Sequence, residues 1–182
     1  FRYSIDGDEN TDLSISSEHT GVRLPDGAYT WAMNYSQSNE DVEIEHASIK
    51  ELNYQYSMPL LYETEDDVFA LVNEADLNGT YCGAQMTGDG TGLLNIVFTP
   101  EQTDDVETTL PFASPWRYIV IGDLQTITNN TLAESLAPAS KVEDTSWIEA
   151  GTVDWTWLNG DLRHDQLPDG VSFETAGLEY YK

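Results

Sequence analysis

Residues 88–98, GDGTGLLNIVF, set a glycine-rich turn directly before a short apolar run. The run LLNIVF has the length of a strand, and a cluster of glycine and aspartate is typical of the turn that precedes one. Runs of the same kind lie at residues 68–72 (VFALV) and 118–121 (YIVI). Short apolar runs of this length predict strands that are buried on both faces. These three runs therefore predict a β-structured domain.

The sequence around these runs extends the same pattern. Residues 42–45 (VEIE) alternate apolar and acidic side chains, which predicts a strand with one face in water. Asp66 and Asp67 stand between two apolar runs and predict a hairpin turn. Residues 126–136 allow one short helix before Pro138. Many short strands without regular helices between them predict an antiparallel β-sandwich.

The composition changes from about residue 146. Three tryptophans, at positions 147, 155 and 157, fall within eleven residues, and a loop with glycine and proline follows them. Residues 172–182 then read as the first turns of a helix that begins after the N-cap Ser172. Strand, loop and helix make one β/α unit, which cannot bury itself alone. We therefore predict a partial sandwich domain over residues 1–148 and a truncated β/α domain over residues 149–182.

The chain is strongly acidic. Its 182 residues include 33 Asp and Glu against 7 Lys and Arg, a formal charge of −26, yet 40% of them are hydrophobic and 11% aromatic. That apolar content argues against a disordered acidic tail. Nucleic-acid binding needs clustered cations, so this class is excluded, and anionic membrane surfaces are disfavoured for the same reason. The sequence has no apolar run of about 18 residues, so it contains no candidate membrane span.

The carboxylates are spread along the chain instead of being gathered in one tail. Such a surface repels itself in dilute buffer, and salt shortens the range of that repulsion from about 10 Å at 0.1 M to about 3 Å at 1 M. We interpret this distribution as adaptation to a salty compartment, as in halophilic microbes. The alternative is an ordinary acidic protein that binds a cationic partner.

The residues alone do not identify an active site. Paired carboxylates are the usual signal of a glycosidase, but with 33 acids any spacing arises by chance. His19 and His46 have no histidine or cysteine at ligand spacing, which favours satisfied surface or core histidines over metal ligands. Cys82 has no evident base, which favours a buried or inert thiol. The loop at residues 88–92 lacks the acidic positions of a calcium loop, which favours a simple hairpin turn.

A longer pattern resembles a known family. Residues 114–123 (SPWRYIVIGD), followed by 132–138 (LAESLAP) and 143–148 (EDTSWI), resemble the end of the N-terminal domain of glycoside hydrolase family 97. Residues that match the family in the same order lie earlier in the chain: Phe1 to Tyr3, Trp31 with Glu40, residues 63–69, and residues 73–77. Residues 155–159 and the helix at 173–182 resemble the first strand and helix of the family's catalytic barrel. The resemblance covers nearly the whole chain.

The resemblance implies a mutarotase-like β-supersandwich, incomplete at its N-terminus, that packs against a (β/α)8 barrel. In this family the barrel hydrolyses terminal α-glucosides or α-galactosides with calcium, and its catalytic carboxylates come from later barrel strands. The resemblance therefore implies no catalytic residue in this chain. It implies a calcium ligand at Glu40, whereas the alternative is one more solvated acid. It also implies a sugar-binding role for Trp157 and its neighbour Trp155, whereas the alternative is packing between domains.

The chain departs from the family in two places. Residues 149–152 (EAGT) stand where the family usually has lysines after the SWI motif, and Asn73 stands where a histidine is common. The loss of the lysines fits the acidic composition.

Together these observations predict the non-catalytic N-terminal portion of an exported, periplasmic or extracellular α-glycosidase. Its partners would be an oligosaccharide substrate and its own catalytic barrel. The alternative is a stand-alone β-sandwich that binds carbohydrate or protein without enzymatic activity.

Overall fold

The computed structural model describes residues 1–40, 42–64 and 66–151, and the chain divides into the units Phe1–Ala139 and Ser140–Lys182. The described residues form thirteen strands, two short helices and one 3-10 turn. The strands are β1 (Ser4–Ile5), β2 (Asp12–Ile15), β3 (Thr20–Arg23), β4 (Tyr29–Met33), β5 (Ile44–Ser48), β6 (Gln55–Tyr56), β7 (Leu60–Glu63), β8 (Phe69–Ala75), β9 (Ala84–Gly88), β10 (Leu93–Phe98), β11 (Val106–Thr109), β12 (Phe112–Ala113) and β13 (Trp116–Gly122). The helices are α1 (Leu124–Thr128) and α2 (Leu132–Leu136), and the 3-10 turn is Ile49–Glu51.

Two antiparallel sheets dominate the first unit. One has five strands in the order β13-β8-β7-β4-β5, and the other has four in the order β3-β10-β9-β6. Two smaller ladders join β1 to β12 and β2 to β11. The main core contains Leu60 and Val72 from the five-stranded sheet and Met86 and Ile96 from the four-stranded sheet. Because one apolar cluster joins both sheets, the predicted antiparallel sandwich is confirmed.

The apolar runs form strands, but they are not buried on both faces. β10 covers residues 93–98 as predicted, and only Leu94 and Ile96 on it are fully buried. In β8 the buried positions alternate in the same way, with Ala70 and Val72 inside. The prediction of two buried faces was wrong, since each strand of a sandwich turns one face to the opposite sheet and the other outward.

The predicted turns connect neighbouring strands. At the β9–β10 hairpin, Asp89 Oδ1 accepts hydrogen bonds from the backbone N–H of Thr91 at 2.9 Å and from its hydroxyl at 2.6 Å. The β7–β8 hairpin closes through Thr64 N–H to the Val68 carbonyl at 2.9 Å. The carboxylate of Asp89 is thus used inside a turn, which agrees with the prediction of a simple hairpin at residues 88–92.

Two predicted elements differ in extent. The strand predicted at residues 42–45 begins at Ile44 and continues to Ser48, at one edge of the five-stranded sheet. The single helix predicted over residues 126–136 is two helices, α1 and α2. Asp123 caps α1 by accepting from Thr126 N–H at 2.7 Å, and α1 ends at Asn129. Asn130 accepts from the N–H of Leu132 at 3.3 Å as α2 begins. Asn130 also donates its side-chain amide to the Ile127 carbonyl at 2.6 Å, so its side chain separates the two helices by bonding backbone groups of both.

The described part of the second unit, residues 140–151, contains neither helix nor strand. Asp144 organises it by accepting from Ser146 N–H at 2.9 Å, and its carbonyl accepts from the Trp147 indole at 3.0 Å. The predicted β/α unit and the helix at 172–182 lie outside the described residues. No helix within the described ranges has the length and apolar character needed to cross a membrane.

Candidate functional site

Glu40 lies on the loop that follows β4, at one end of the sandwich. The loop leaves the five-stranded sheet at Met33, whose carbonyl accepts from Ser57 N–H at 2.9 Å. Tyr35 N–H then donates to the carbonyl of Gln55 on β6, also at 2.9 Å. Because β6 belongs to the four-stranded sheet, the loop joins the two sheets at this end.

A carboxylate from a third segment holds the same loop. Glu101, just after β10, accepts from the Tyr35 hydroxyl at 2.5 Å and from the Gln37 side-chain amide at 2.8 Å. These two hydrogen bonds lower the pKa of Glu101 to about 2, and the bond from Tyr35 has the larger effect. Burial, with the Glu101 carboxylate, raises the pKa of Tyr35 in turn. The loop is therefore fixed by backbone bonds to β6 and by side-chain bonds to Glu101.

Glu40 itself is exposed and lies three residues after Gln37 on this loop. Calcium takes six to eight oxygen ligands, of which one carboxylate supplies one or two. Among residues 1–40, 42–64 and 66–151, no group of three or more His, Cys, Asp or Glu is arranged to hold a metal ion. Within these ranges Glu40 is therefore a single carboxylate donor and not part of a cluster of such groups. Trp155 and Trp157, the predicted sugar-binding residues, lie outside the described residues.

A buried ionic network lies inside the first unit. Arg117 on β13 is 1% exposed and donates to both oxygens of Glu18, through Nε at 2.9 Å and Nη2 at 2.7 Å. Its third donor, Nη1, reaches Glu74 Oε2 on β8 at 2.7 Å. Tyr81 and Thr20 complete the network by donating to Glu18 at 2.6 Å and 2.9 Å.

The two carboxylates of this network differ in their pKa. Burial alone would raise the pKa of Glu18, but the hydrogen bonds and charge of Arg117, with Tyr81 and Thr20, lower it below its ordinary value. For Glu74 burial outweighs the attraction of Arg117, so its pKa is raised. Burial and the bond to Glu18 raise the pKa of Tyr81. Since each oxygen of Glu18 already accepts two bonds, the network acts as a structural clamp rather than an acid–base site.

Cys82, beside this network, is half-buried, and burial raises the pKa of its thiol to about 11. The thiol is therefore protonated and unreactive at neutral pH, in agreement with the prediction of an inert cysteine.

The outer face of the five-stranded sheet carries a row of aromatic rings. His46 on β5 stacks on Trp31 with ring centroids 4.5 Å apart, and the Tyr29 ring lies 5.3 Å from the same imidazole. Trp31 also approaches Phe69 on β8 at 6.1 Å. At the Tyr29 end of the row is an open cleft of about 310 Å³, whose lining includes Tyr29, His46 and Glu63.

Sequence reasoning identified neither the ionic network nor the aromatic cleft. One signal for the network was present: Arg117 is one of seven cations in the chain and stands beside an apolar run, where a charge is costly without a partner. Its partners Glu18 and Glu74 lie 99 and 43 residues away, so their pairing depends on the fold. The cleft likewise joins three separate strands, and no local pattern marks it.

Comparison with known proteins gives one family and one curated relative. A family described as "Glycosyl-hydrolase 97 N-terminal" matches residues 1–138. A "Probable retaining alpha-galactosidase" of Streptomyces bingchenggensis (strain BCW-1) is 35% identical over 147 residues, which are 80% of this chain and 22% of that protein.

Solved structures agree with this match. A β-arabinopyranosidase shares 25% identity and a TM-score of 0.64 over 72% of this chain and 24% of its own. A single-residue variant of a glycoside hydrolase family 97 enzyme from Pseudoalteromonas sp. strain K8 shares 21% identity and a TM-score of 0.71, over 81% of this chain and 23% of its own. A glycoside hydrolase family 97 enzyme from the same strain, in complex with acarbose, aligns with a TM-score of 0.67 at 21% identity over the same shares of both chains. The chain spans about a quarter of the length of the proteins it matches.

Proposed function

The chain belongs to the glycosyl-hydrolase 97 N-terminal family, and from this premise we propose that it is the non-catalytic N-terminal portion of an exo-acting α-glycoside hydrolase. The family match over residues 1–138 is the observation that carries the proposal. In this role the sandwich braces the catalytic barrel and forms part of the wall of its active site.

The substrate class we propose is a terminal α-galactoside, with a terminal α-glucoside as the alternative. The relative at 35% identity is described as a probable α-galactosidase, whereas the solved neighbours are 20–25% identical. Two of those neighbours are complexes with acarbose and panose, which are oligosaccharides or their analogues. An oligosaccharide is thus the proposed partner of the complete enzyme.

We assign the calcium role to Glu40 as a single donor. Its exposed position on a loop held by two sheets and by Glu101 supports this, because a fixed loop presents a carboxylate at a constant place. The remaining oxygen ligands would come from residues outside the described part of the chain. Residues 149–182 would begin the barrel, with Trp155 and Trp157 at the mouth of its first strand, where barrel sites are built.

The compartment we propose is periplasmic or extracellular and salty. The charge of −26 supports a salty compartment, since a surface this acidic gains most from screening by salt. Export fits an enzyme whose oligosaccharide substrate lies outside the cell.

The reading frame beyond the codon for Lys182 and an assay of the resulting protein test the function. Seven further strand–helix units after Lys182, together with release of the terminal sugar from an aryl α-galactoside or α-glucoside, are expected. A protein with these units that hydrolyses neither substrate contradicts the proposed reaction. A stop codon at that point would favour the alternative, a stand-alone sandwich that binds carbohydrate or protein.

The carboxylate assignment has its own test: calorimetry with calcium should show weaker binding in Glu40→Gln than in the parent enzyme.

A further inference from the structure

We propose that the cleft at the Tyr29 end of the aromatic row is a second carbohydrate-binding site, which holds one sugar unit of an oligosaccharide on the Tyr29 ring. The choice of ligand rests on the proposed function, whereas the site itself rests on the geometry of the described residues. No part of it belongs to the Glu40 loop.

The Tyr29 ring is the surface on which a sugar would stack. Its side chain is 51% exposed although it sits in the interior of a five-stranded sheet, between β5 and β7. His46, stacked between Tyr29 and Trp31, holds the ring at one side. A large, supported and open aromatic ring presents an apolar face that matches the C–H face of a pyranose. Binding requires little ordering of the protein side chains, because the row is already assembled.

Polar groups stand where the hydroxyls of a stacked sugar would be. Glu63 lies on β7, between β4 and β8. In the strand register it pairs with Tyr29 on β4 and with Phe69 on β8. It is half-buried, and none of the hydrogen bonds or ion pairs found among the described residues involves its carboxylate. Thr64 and Asp67 complete this side of the cleft. A carboxylate between two aromatic side chains, with no partner in the part of the chain that the structure describes, is a ready acceptor for sugar hydroxyls.

The shape of the cleft favours a sugar over an organic cation. Cations bound by aromatic groups are usually enclosed in a cage of several rings. Here Tyr29 and the imidazole of His46 are the ring systems that line the cleft, and both belong to the same row. An open Tyr29 ring with hydrogen-bond acceptors beside it suits a sugar, which has an apolar C–H face and hydroxyl groups around its edge. The cleft volume of about 310 Å³ is at the lower limit for small-molecule sites, which matches a single sugar unit.

The cleft is separate from the proposed calcium ligand. β4 begins at Tyr29 and ends at Met33, and the Glu40 loop follows that end. The two sites therefore lie at opposite ends of the same strand, so a ligand in the cleft does not occupy the space around Glu40. A site at this end would hold a neighbouring part of a long substrate or a part of a second oligosaccharide.

The test is a titration of the 182-residue chain with panose and with raffinose, followed by NMR of the aromatic and indole signals. We expect saturable shifts of the Tyr29, His46 and Trp31 signals, with a dissociation constant on the order of 1 mM, because an open cleft removes little surface from water. Tyr29→Ala should weaken binding about fivefold or more. Glu63→Gln, which keeps the shape of the side chain, should weaken it as well.

Tyr54→Ala is the matched control, since Tyr54 is also an open tyrosine, at 60% exposure against 51% for Tyr29, and lies outside the cleft. Unchanged binding in this variant together with loss in Tyr29→Ala supports the site. Absence of saturable shifts in the parent chain overturns it, as does equal binding in Tyr29→Ala. Tighter binding of tetramethylammonium than of either sugar would assign the cleft to a cation and also overturn it. None of these outcomes depends on hydrolysis, so the site and the proposed enzyme fail independently.

Discussion

Arg117 on β13 holds Glu18, 99 residues earlier in the chain, through two parallel hydrogen bonds of 2.9 Å and 2.7 Å. The pair joins the last strand of the five-stranded sheet to the segment that leads into β3 of the other sheet. Both side chains are almost fully buried, and Glu74 adds a second negative charge. The first unit therefore depends on one guanidinium that neutralises two carboxylates across the sandwich.

Removing that guanidinium should be severely destabilising. Arg117→Met leaves two buried carboxylates without their cation, and we expect the free energy of unfolding to fall by about 3–5 kcal/mol. Arg117→Lys should cost less, because it keeps the charge but loses the paired geometry. Urea unfolding followed by circular dichroism measures both. Arg2→Met is the control, since the Arg2–Asp76 pair at 3.8 Å is partly exposed, and its loss should cost below about 1 kcal/mol. Equal losses in Arg117→Met and Arg2→Met would contradict the role of the network.

The two carboxylates of the network should affect stability at different pH. The pKa of Glu18 is lowered from 4.5, so its contribution is present above that pH and is lost as the pH falls through the lowered value. The pKa of Glu74 is raised from 4.5, so its contribution has the opposite sign and stability falls as the pH rises through the raised value.

Single replacements separate these contributions. Glu18→Gln should lose stability at neutral pH and approach the parent chain as the pH falls from 4.5 through the lowered pKa, where the parent Glu18 also becomes protonated. Glu74→Gln should remove the decrease in stability that the parent shows above pH 4.5. Urea unfolding at intervals between about pH 3 and pH 8 measures both profiles. The same pH profile in both variants would be inconsistent with the opposite shifts.

Gly88 should not tolerate a side chain. A Cβ built at this position would be 2.3 Å from the carbonyl oxygen of Leu52 and 2.9 Å from Leu94 Cδ2, so the backbone itself would have to move. We expect Gly88→Ala to lower the free energy of unfolding by about 2 kcal/mol or more. Gly151→Ala is the control, because within the described ranges no atom outside its chain neighbours lies within 4 Å of its Cβ position, and its effect should be within about 0.5 kcal/mol. Thermal unfolding of both variants measures this difference. A Gly88→Ala protein as stable as Gly151→Ala would contradict the close approach of Leu52 to Gly88.

The fold was predictable where neighbouring residues determine it. Residues 93–98 form a strand because their apolar run follows a glycine turn, and Asp66 and Asp67 mark the β7–β8 hairpin for the same local reason. The degree of burial was not predictable from such runs. Ile121 on β13 is apolar but 63% exposed, because β13 is at the edge of its sheet.

The candidate sites needed information that the sequence lacks. Glu18, Glu74 and Arg117 form one network only after the strands are placed, and the chain offers 33 acids as possible partners for each cation. Glu40 was chosen by resemblance to a family and not by a local pattern, since Ser38 and Asn39 before it are also polar and exposed. Long-range pairing and surface exposure are properties of the fold, so local patterns do not reveal them.

Salt should stabilise the chain. With a charge of −26, repulsion among surface carboxylates opposes folding, and raising the salt from 0.1 M to 1 M shortens its range from about 10 Å to about 3 Å. The melting temperature should therefore rise with KCl at neutral pH. The increase should shrink near pH 4.1, the isoelectric point, because the net charge there is close to zero. Differential scanning calorimetry at both pH values measures this. A melting temperature at neutral pH that does not change with salt would remove the basis for a halophilic origin.

Glu101 should determine how firmly the Glu40 loop is held. It accepts hydrogen bonds from Tyr35 at 2.5 Å and from Gln37 at 2.8 Å, and its pKa of about 2 keeps it ionised at neutral pH. Glu101→Ala removes both bonds, so amide hydrogen exchange across residues 34–40 should become several-fold faster, while global unfolding changes little. Glu107→Ala provides the control, because Glu107 is an exposed acid that accepts from Ser14 at 2.8 Å and does not contact this loop. Exchange measured by NMR at the Tyr35 amide, which donates to Gln55, reports directly on the loop. If both variants exchange at the parent rate, the backbone bonds to β6 are sufficient and Glu101 does not position Glu40.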